Sequence, residues 1–217
     1  MNQPTVKRDQ EGTRRRILEA AKEQFSSHGL AGARVDAIAS TAGTNERMLY
    51  YYFESKEGLY VAVLEAMYVD FANRESDLNL SGLPPSEAVR TLAASIWTYL
   101  RDHPRWLNLI NNENLHEGRY LARSVKLRDI LSPVVDVLRA TLARGVASGE
   151  FRKDVDAVDF YVTLVGMGFY VASNRFTLAA FTGRNYAEDQ RQRSITAMHL
   201  DMLLSYLRPR AEPSALS

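Results

Sequence analysis

The stretch from Arg34 to Lys56 constrains this chain more than any other. Val35, Ile38 and Ala39 form a short apolar face and Gly43 follows; Met48, Leu49, Tyr52 and Phe53 form a second face that ends at Ser55-Lys56-Glu57. Two short amphipathic segments joined by a tight turn containing Gly predict a helix-turn-helix. Ala39 is small where two crossing helices touch, and Gly43 can take the positive φ that a sharp turn requires. The second helix opens with Thr44, Asn45, Glu46 and Arg47, where a recognition helix meets base edges. Its later turn carries Tyr50, Tyr51 and Tyr52. Ser55 is placed to cap a further helix beginning at Lys56.

Charge alone does not point to nucleic acid. The 217 residues carry a formal net charge of only +1. Residues 1–34 hold seven basic side chains against four acidic ones. The cluster Arg14-Arg15-Arg16 fits either phosphate contact or an ordinary solvated helix start. The composition, 46% hydrophobic and 24% charged, can fill one large or two small cores. No apolar run is long enough to span a membrane, no secretory signal opens the chain, and there is no cysteine. The expectation is a cytoplasmic protein without disulfides or thiolate metal sites.

Taken in order, residues 1–12 are polar and aperiodic and read as a mobile arm. A first helix is expected from about Thr13 to His28, with Ile17, Leu18, Ala21 and Phe25 inward and Gly29 as its stop. The helix-turn-helix domain then closes at residue 57. A longer helix from Lys56 places Leu59, Val63, Leu64, Met67 and Phe71 inward. The clearest breaker is Ser81-Gly82-Leu83-Pro84-Pro85. Residues 58–208 read as a second, wholly helical domain. Ser86 is expected to cap one helix, His103-Pro104 to interrupt it, and Ser132-Pro133 to restart or kink another. Two closing helices are expected over about 155–181 and 186–207, and residues 209–217 as a frayed tail. Nothing alternates with a two-residue period, so the predicted class is all-α.

The two closing helices have too many apolar faces for one internal core. Ile195, Met198, His199, Met202, Leu203 and Tyr206 recur at helical spacing, and Leu200, Leu204 and Leu207 remain on the other side. Burial against a second copy through about 155–207 is the expectation, with an internal helical hairpin as the alternative.

Signs of catalysis are few. No nucleophile elbow or phosphate loop is present. Glu113-x-x-His116 has the spacing that helical bundles use at di-iron centres, but it occurs once where two are needed. A metal-dependent bundle enzyme using Glu113 and His116 is therefore an alternative of another class; no catalytic residue, cofactor or metal is assigned. A polar cluster around Asn111, Asn114, His116 and Arg119, with Asn174 further on, demands partners if buried. Trp97, Trp106, Tyr120 and Tyr170 offer apolar walls. The expected partner is a small organic effector, anionic or aromatic.

The residues Arg16-Ile17-Leu18, Ala20-Ala21, Phe25, His28-Gly29, Ile38-Ala39, Ala42-Gly43, Leu49-Tyr50-Tyr51-Tyr52-Phe53 and Ser55-Lys56-Glu57-Gly58-Leu59 resemble the DNA-binding domain of the tetracycline-repressor (TetR) family of bacterial regulators. The likeness covers about residues 13–65. One departure falls just after the turn, where Thr44, Asn45 and Glu46 replace the usual small apolar, Ser and basic residues. The stretch from Asn112 to Ser124, with Tyr170 to Phe181, is similar to a subgroup linked to catabolism of small organic compounds.

The resemblance implies a helix-turn-helix head, a C-terminal effector-binding and dimerisation domain, and a dimer built through a four-helix bundle. It implies a transcriptional regulator, a ligand-responsive repressor on a palindromic double-stranded operator; an activator, or a regulator working through a protein partner, is the alternative. Arg34, Thr44, Asn45, Arg47, Tyr50, Tyr51 and Lys56 are the expected DNA contacts, with Arg47 as the base reader and the tyrosines on phosphates.

Overall fold

Residues 4–210 are described by the computed structural model, and the regular elements among them are all helical. The side chains of 4–9, 76, 128, 129, 131 and 132 lie outside the description, as do residues 1–3 and 211–217. The chain divides into two units. One holds the residues up to Asp70 together with His103–Ile130; the other holds Phe71–Asp102 and the residues from Leu131 onward.

The first unit begins with α1 (Pro4–Gly32). This helix starts well before Thr13, so residues 4–12 are helical where an arm is expected; the remainder of that arm lies outside the described residues. Proline tolerates a first helical turn because its missing N–H would be unpaired there. Gly29, with φ 65° and ψ 178°, breaks the helical path near its end. Next come α2 (Val35–Thr41) and α3 (Glu46–Phe53). Between them Gly43 takes φ +63°. The Asn45 side chain accepts a hydrogen bond from the Met48 amide at 3.1 Å, so α3 has a proper N-cap. Ser55 Oγ does the same for the Gly58 amide at 2.9 Å, at the start of α4 (Lys56–Ser76). Ile17, Phe25, Ile38, Leu49, Leu59 and Leu64 are fully buried, and Phe25 meets Tyr60 edge-on at 5.1 Å.

Helix α6 (Pro104–Leu115) also belongs to this unit and lies along α1. Asn108 Nδ2 donates to the Ser26 carbonyl at 3.2 Å, and Arg105 pairs with Glu23 at 2.8 Å. A boundary at residue 57, read where the DNA-head pattern fades, therefore falls inside the unit. Hydrophobic periodicity shows which face a helix buries, not which partner it buries that face against.

The second unit is arranged around α5 (Pro85–Asp102), whose Val89, Leu92, Ala93, Ile96 and Leu100 are all buried. Ser86 does not cap it: α5 starts at Pro85, and Ser86 Oγ donates instead to Glu150 at 2.7 Å. A 3-10 turn, Leu80–Gly82, precedes it; Arg144 closes that turn by donating to the carbonyls of Leu80, Ser81 and Leu83. Arg144 lies in α7 (Leu127–Ala147), which continues through Pro133. The expected long helix over 155–181 is two helices, α8 (Ala157–Ser173) and α9 (Arg175–Thr182), parted at Asn174. The Asp156 side chain caps α8 by accepting from two amides. Last comes α10 (Asp189–Leu207), with Leu203 and Leu207 inward. Residues 208–210 are not helical, and the rest of the expected tail lies outside the described residues.

Candidate functional site

The outward face of α3 is built by what its inward face must do. Leu49 and Phe53 are buried, which fixes the rotation of the helix about its axis. That rotation leaves Arg47 exposed, together with Tyr50 at 44% and Tyr51 at 69%. Tyr52 is half-buried and meets Tyr51 edge-on at 5.2 Å. The Asn45 side chain is engaged by the Met48 amide, and Thr44 is half-buried. Arg47, Tyr50 and Tyr51 thus form one exposed strip of a guanidinium and two phenols.

Four flanking cations are already engaged. Arg34 forks onto Asp36 through Nε at 3.1 Å and a second nitrogen at 2.7 Å. The Asp36 carboxylate holds the Arg34 pKa above its ordinary value, and Arg34 in turn holds Asp36 below the usual carboxylate range. Lys56 Nζ donates to the Ala31 carbonyl at 3.3 Å. Arg16 donates to the Ala42 carbonyl at 3.1 Å, tying α1 to the turn before α3. Arg14 stacks over the Phe53 ring at 5.2 Å. These partners are weak enough at the surface to be exchanged for phosphate.

The nine side chains expected around an effector are divided between the two units. Trp106, Asn111, Asn114, His116, Arg119 and Tyr120 belong to the first unit; Trp97, Tyr170 and Asn174 belong to the second. Asn114 and Arg119 are exposed. Tyr120 is the buried centre of its group: His116 stands edge-on at 5.5 Å, the Arg119 guanidinium lies 4.8 Å from the ring centre, and Arg119 donates to its hydroxyl at 2.9 Å. Trp106 meets Tyr68 edge-on at 5.7 Å.

Glu113, 3% exposed, anchors this neighbourhood. Its Oε1 accepts the amides of Tyr120 and Leu121 at 2.9 and 2.8 Å. The carboxyl group thereby ties α6 to the turn after it. Burial, and then the Glu113 charge, push the Tyr60 hydroxyl pKa up and that of Tyr68 to about 12. Holding two backbone amides makes Oε1 a structural clasp, while Oε2 is buried without a hydrogen-bond partner among the described residues. Among the described residues no three His, Asp or Glu side chains gather as a metal site.

In the second unit Trp97 Nε1 donates to the Leu164 carbonyl at 2.8 Å and its ring meets His199 edge-on at 5.6 Å. Gly168 is required there, since a Cβ would lie 2.0 Å from the Trp97 ring. Trp97 also lines a cleft of about 290 Å³ with Thr98, Arg101, Asp189 and Gln192. Tyr170 and Asn174 are not in its lining. Tyr170 is exposed, and Asn174 Nδ2 donates to the Tyr170 carbonyl at 2.9 Å, closing the end of α8.

One side chain of interest escaped the sequence reading. Glu75, near the end of α4, is 4% exposed. Its signal was present: it follows Met67 and Phe71 at four-residue steps on the buried stripe. Its neighbours Arg74 and Ser76 made it read as part of a fraying polar end.

Comparison with known proteins bears on both units. The family model "Bacterial regulatory proteins, tetR family" matches residues 17–63, and "Tetracyclin repressor-like, C-terminal domain" matches 85–203. The chain is 37% identical over 196 residues to the HTH-type transcriptional repressor NicS of Pseudomonas putida, covering 90% of this chain and 92% of that protein. It is 30% identical over 161 residues to the HTH-type transcriptional repressor SCO4008 of Streptomyces coelicolor, covering 74% and 78%. In fold it is similar to a TetR family transcription regulator from Marinobacter aquaeolei, with a TM-score of 0.71 at 18% identity, covering 95% of this chain and all of that one.

Proposed function

This chain belongs to the TetR family of bacterial regulatory proteins, and on that premise we propose that it is a ligand-responsive repressor that holds a palindromic operator as a homodimer. As a family member it is a DNA-binding transcriptional regulator rather than an enzyme. The single observation that carries the finer reading is the exposed strip on α3. Arg47 can bond bidentately to a guanine edge, and the Tyr50 and Tyr51 hydroxyls are free to meet phosphate. The similarity to two proteins named as repressors, over 90% and 74% of this chain, supports the sign of regulation.

The dimer reading rests on α8 and α10. Val162 is 62% exposed, and Val158, Met198, Met202 and Tyr206 are all about half exposed. A groove of about 470 Å³ between these helices is lined by Phe160, Met167, Met202, Leu203 and Tyr206. Exposed apolar surface of this extent on adjacent helices fits a two-fold helical interface. Two heads on one dimer engage successive major-groove faces, roughly 34–36 Å apart in the simplest arrangement.

An effector acts by binding one form of the dimer better than the other, a coupling of about 1–3 kcal/mol. Helix α4 carries the coupling in this scheme, because it begins in one unit and ends in the other. A soluble, cytoplasmic protein is in keeping with this role; among the described residues no helix is long and apolar enough to cross a membrane.

The test is retention of the operator upstream of the regulated gene in an anisotropy titration. Wild type should discriminate that duplex from scrambled DNA. Arg47→Ala should lose about 1–3 kcal/mol, at one base position and its symmetry mate. Equal binding to both duplexes by the wild type defeats the repressor reading.

A further inference from the structure

Glu75 is the one wholly unsatisfied carboxyl group in the described core. Neither Oε1 nor Oε2 has a hydrogen-bond partner among the described residues. Glu75 lines a void of about 10 Å³ whose other walls are Leu80, Leu92, Pro133, Val134 and Val137. Those walls are all apolar. Burial alone pushes the pKa of Glu75 up to about 8. With no cation in the lining, the group is mainly protonated at neutral pH. It then presents an O–H donor and a C=O acceptor side by side.

A buried polar group without a partner calls for one. Ligand pockets have this composition: apolar walls and a small number of placed polar atoms that set orientation. The partner that satisfies both atoms of a protonated carboxyl group carries an acceptor beside a donor on one edge. A cis amide has that edge. A carboxylate ligand lacks the donor, and nothing in the lining offsets its charge. A cation requires Glu75 to ionise among Leu80, Leu92 and Val134, a costly burial of charge.

We propose that Glu75 anchors a small-ligand site in the second unit, and that the ligand is a compact neutral molecule with an amide-like edge on an apolar body. This rests on the effector reading above and names the chemical class of the effector. The void as it stands has room for one water at most. A larger guest must displace Val134 and Val137, and α7 is the wall suited to yield. Pro133 supplies no backbone N–H to the helical ladder at this point, which weakens the turn. Pro133 and Val137 are exposed, so the path from solvent is short.

The experiment is a thermal-shift titration of the full chain with 2-piperidone and with benzamide, against benzoate and benzylamine at equal concentrations. The same titrations are run on Glu75→Gln and Glu75→Leu. The expected result is a concentration-dependent rise in Tm for wild type with both amides and not with the charged pair. Glu75→Leu should weaken amide binding at least tenfold. Glu75→Gln, which keeps a donor and an acceptor, should retain part of it. No shift with either amide, an equal shift in Glu75→Leu, or a larger shift with benzylamine overturns the proposal. Operator anisotropy with the same compounds separates the two readings. Amide stabilisation through Glu75 without any change in operator binding keeps the site and removes the effector role. Operator release by other compounds that is indifferent to Glu75 keeps the effector role and removes this site.

Discussion

The two units treat polar groups in opposite ways. The first buries Glu113 and gives one of its oxygens, Oε1, two backbone amides, with Oε2 left without a partner among the described residues; the second buries Glu75 and gives neither oxygen one. The contrast extends to the surface. Helix α3 of the first unit exposes aromatic side chains that end in hydroxyls, Tyr50 and Tyr51, while α8 and α10 of the second expose the methyl-ended Val162, Met198 and Met202. A carboxyl oxygen that clasps two backbone amides suits a rigid head that must present one helix in one orientation. An incomplete interior under an apolar surface suits a unit that acquires partners after folding, one inside and one outside.

The largest effect should come from the outer partner. Val162→Asp places a charge in the centre of the proposed α8/α10 interface, and two-fold symmetry places it there twice. Desolvating two unpaired carboxylates should weaken dimerisation by about 5 kcal/mol or more. Sedimentation at micromolar concentration should show monomer for the variant and dimer for wild type, with operator binding lost in parallel. An unchanged dimer would mean that the methyl surface of the second unit has no role as an interface, and half of the contrast goes with it.

Next comes the glutamate that clasps two amides. Glu113→Ala leaves the amides of Tyr120 and Leu121 without their acceptor inside the first unit. At roughly 2 kcal/mol for each orphaned donor, the loss should be about 4 kcal/mol. Urea unfolding should show it as a lower midpoint. Glu113→Gln, whose side-chain oxygen can still accept, should recover most of it. If Ala and Gln behave alike, the clasp does not hold the turn.

How far these features could be read beforehand depended on whether they were local. The helix-turn-helix is local: Gly43, the Asn45 cap and the Leu49/Phe53 spacing lie within a dozen residues, so both its existence and its outward face were legible. The break at His103-Pro104 was legible for the same reason. What Glu113 and Glu75 do was not. Each depends on atoms brought from elsewhere, or on their absence, and one-dimensional spacing carries no record of either. The grouping of α6 with the first unit is likewise a matter of helix against helix. The split at Asn174 was missed although Ser173, Asn174 and Arg175 interrupt the apolar run: Asn174 closes α8 through the Tyr170 carbonyl, and no Gly or Pro marks the place.

The unsatisfied glutamate should reveal itself through pH. Its folded pKa lies near 8 and its ordinary value is 4.5, so the folded chain holds the proton more tightly than the unfolded one. Below about pH 4.5 both states are protonated and the group costs nothing through ionisation. As pH rises toward 8 the unfolded state releases the proton and the folded state keeps it, so stability falls; above about 8 both are ionised and the loss levels off. Linkage at about 1.4 kcal/mol for each pKa unit puts the loss between pH 5 and 8 at about 3 kcal/mol. Glu75→Gln removes this slope. Its Tm should therefore gain on wild type as pH increases. Parallel curves for the two proteins would show that Glu75 is solvated, and the contrast with Glu113 would disappear.

The smallest effect should come from the hydroxyl of Tyr51. The ring stands 69% exposed and leans edge-on against Tyr52, so removing one oxygen leaves the packing of α3 untouched. If that hydroxyl meets a phosphate, Tyr51→Phe should weaken operator binding by about 1.5 kcal/mol, the low end for one hydrogen bond to a charged acceptor. The loss should be the same on the operator and on scrambled duplex, because a phosphate carries no sequence. Arg47→Ala should instead reduce the ratio between the two. Phosphate neutralisation by a cation steepens the salt dependence of binding, whereas a neutral phenol does not, so the salt slope of Tyr51→Phe should match that of wild type. A loss confined to the operator would make Tyr51 a reader of bases, and the hydroxyl-bearing face of the first unit would then contribute to specificity as well as to position.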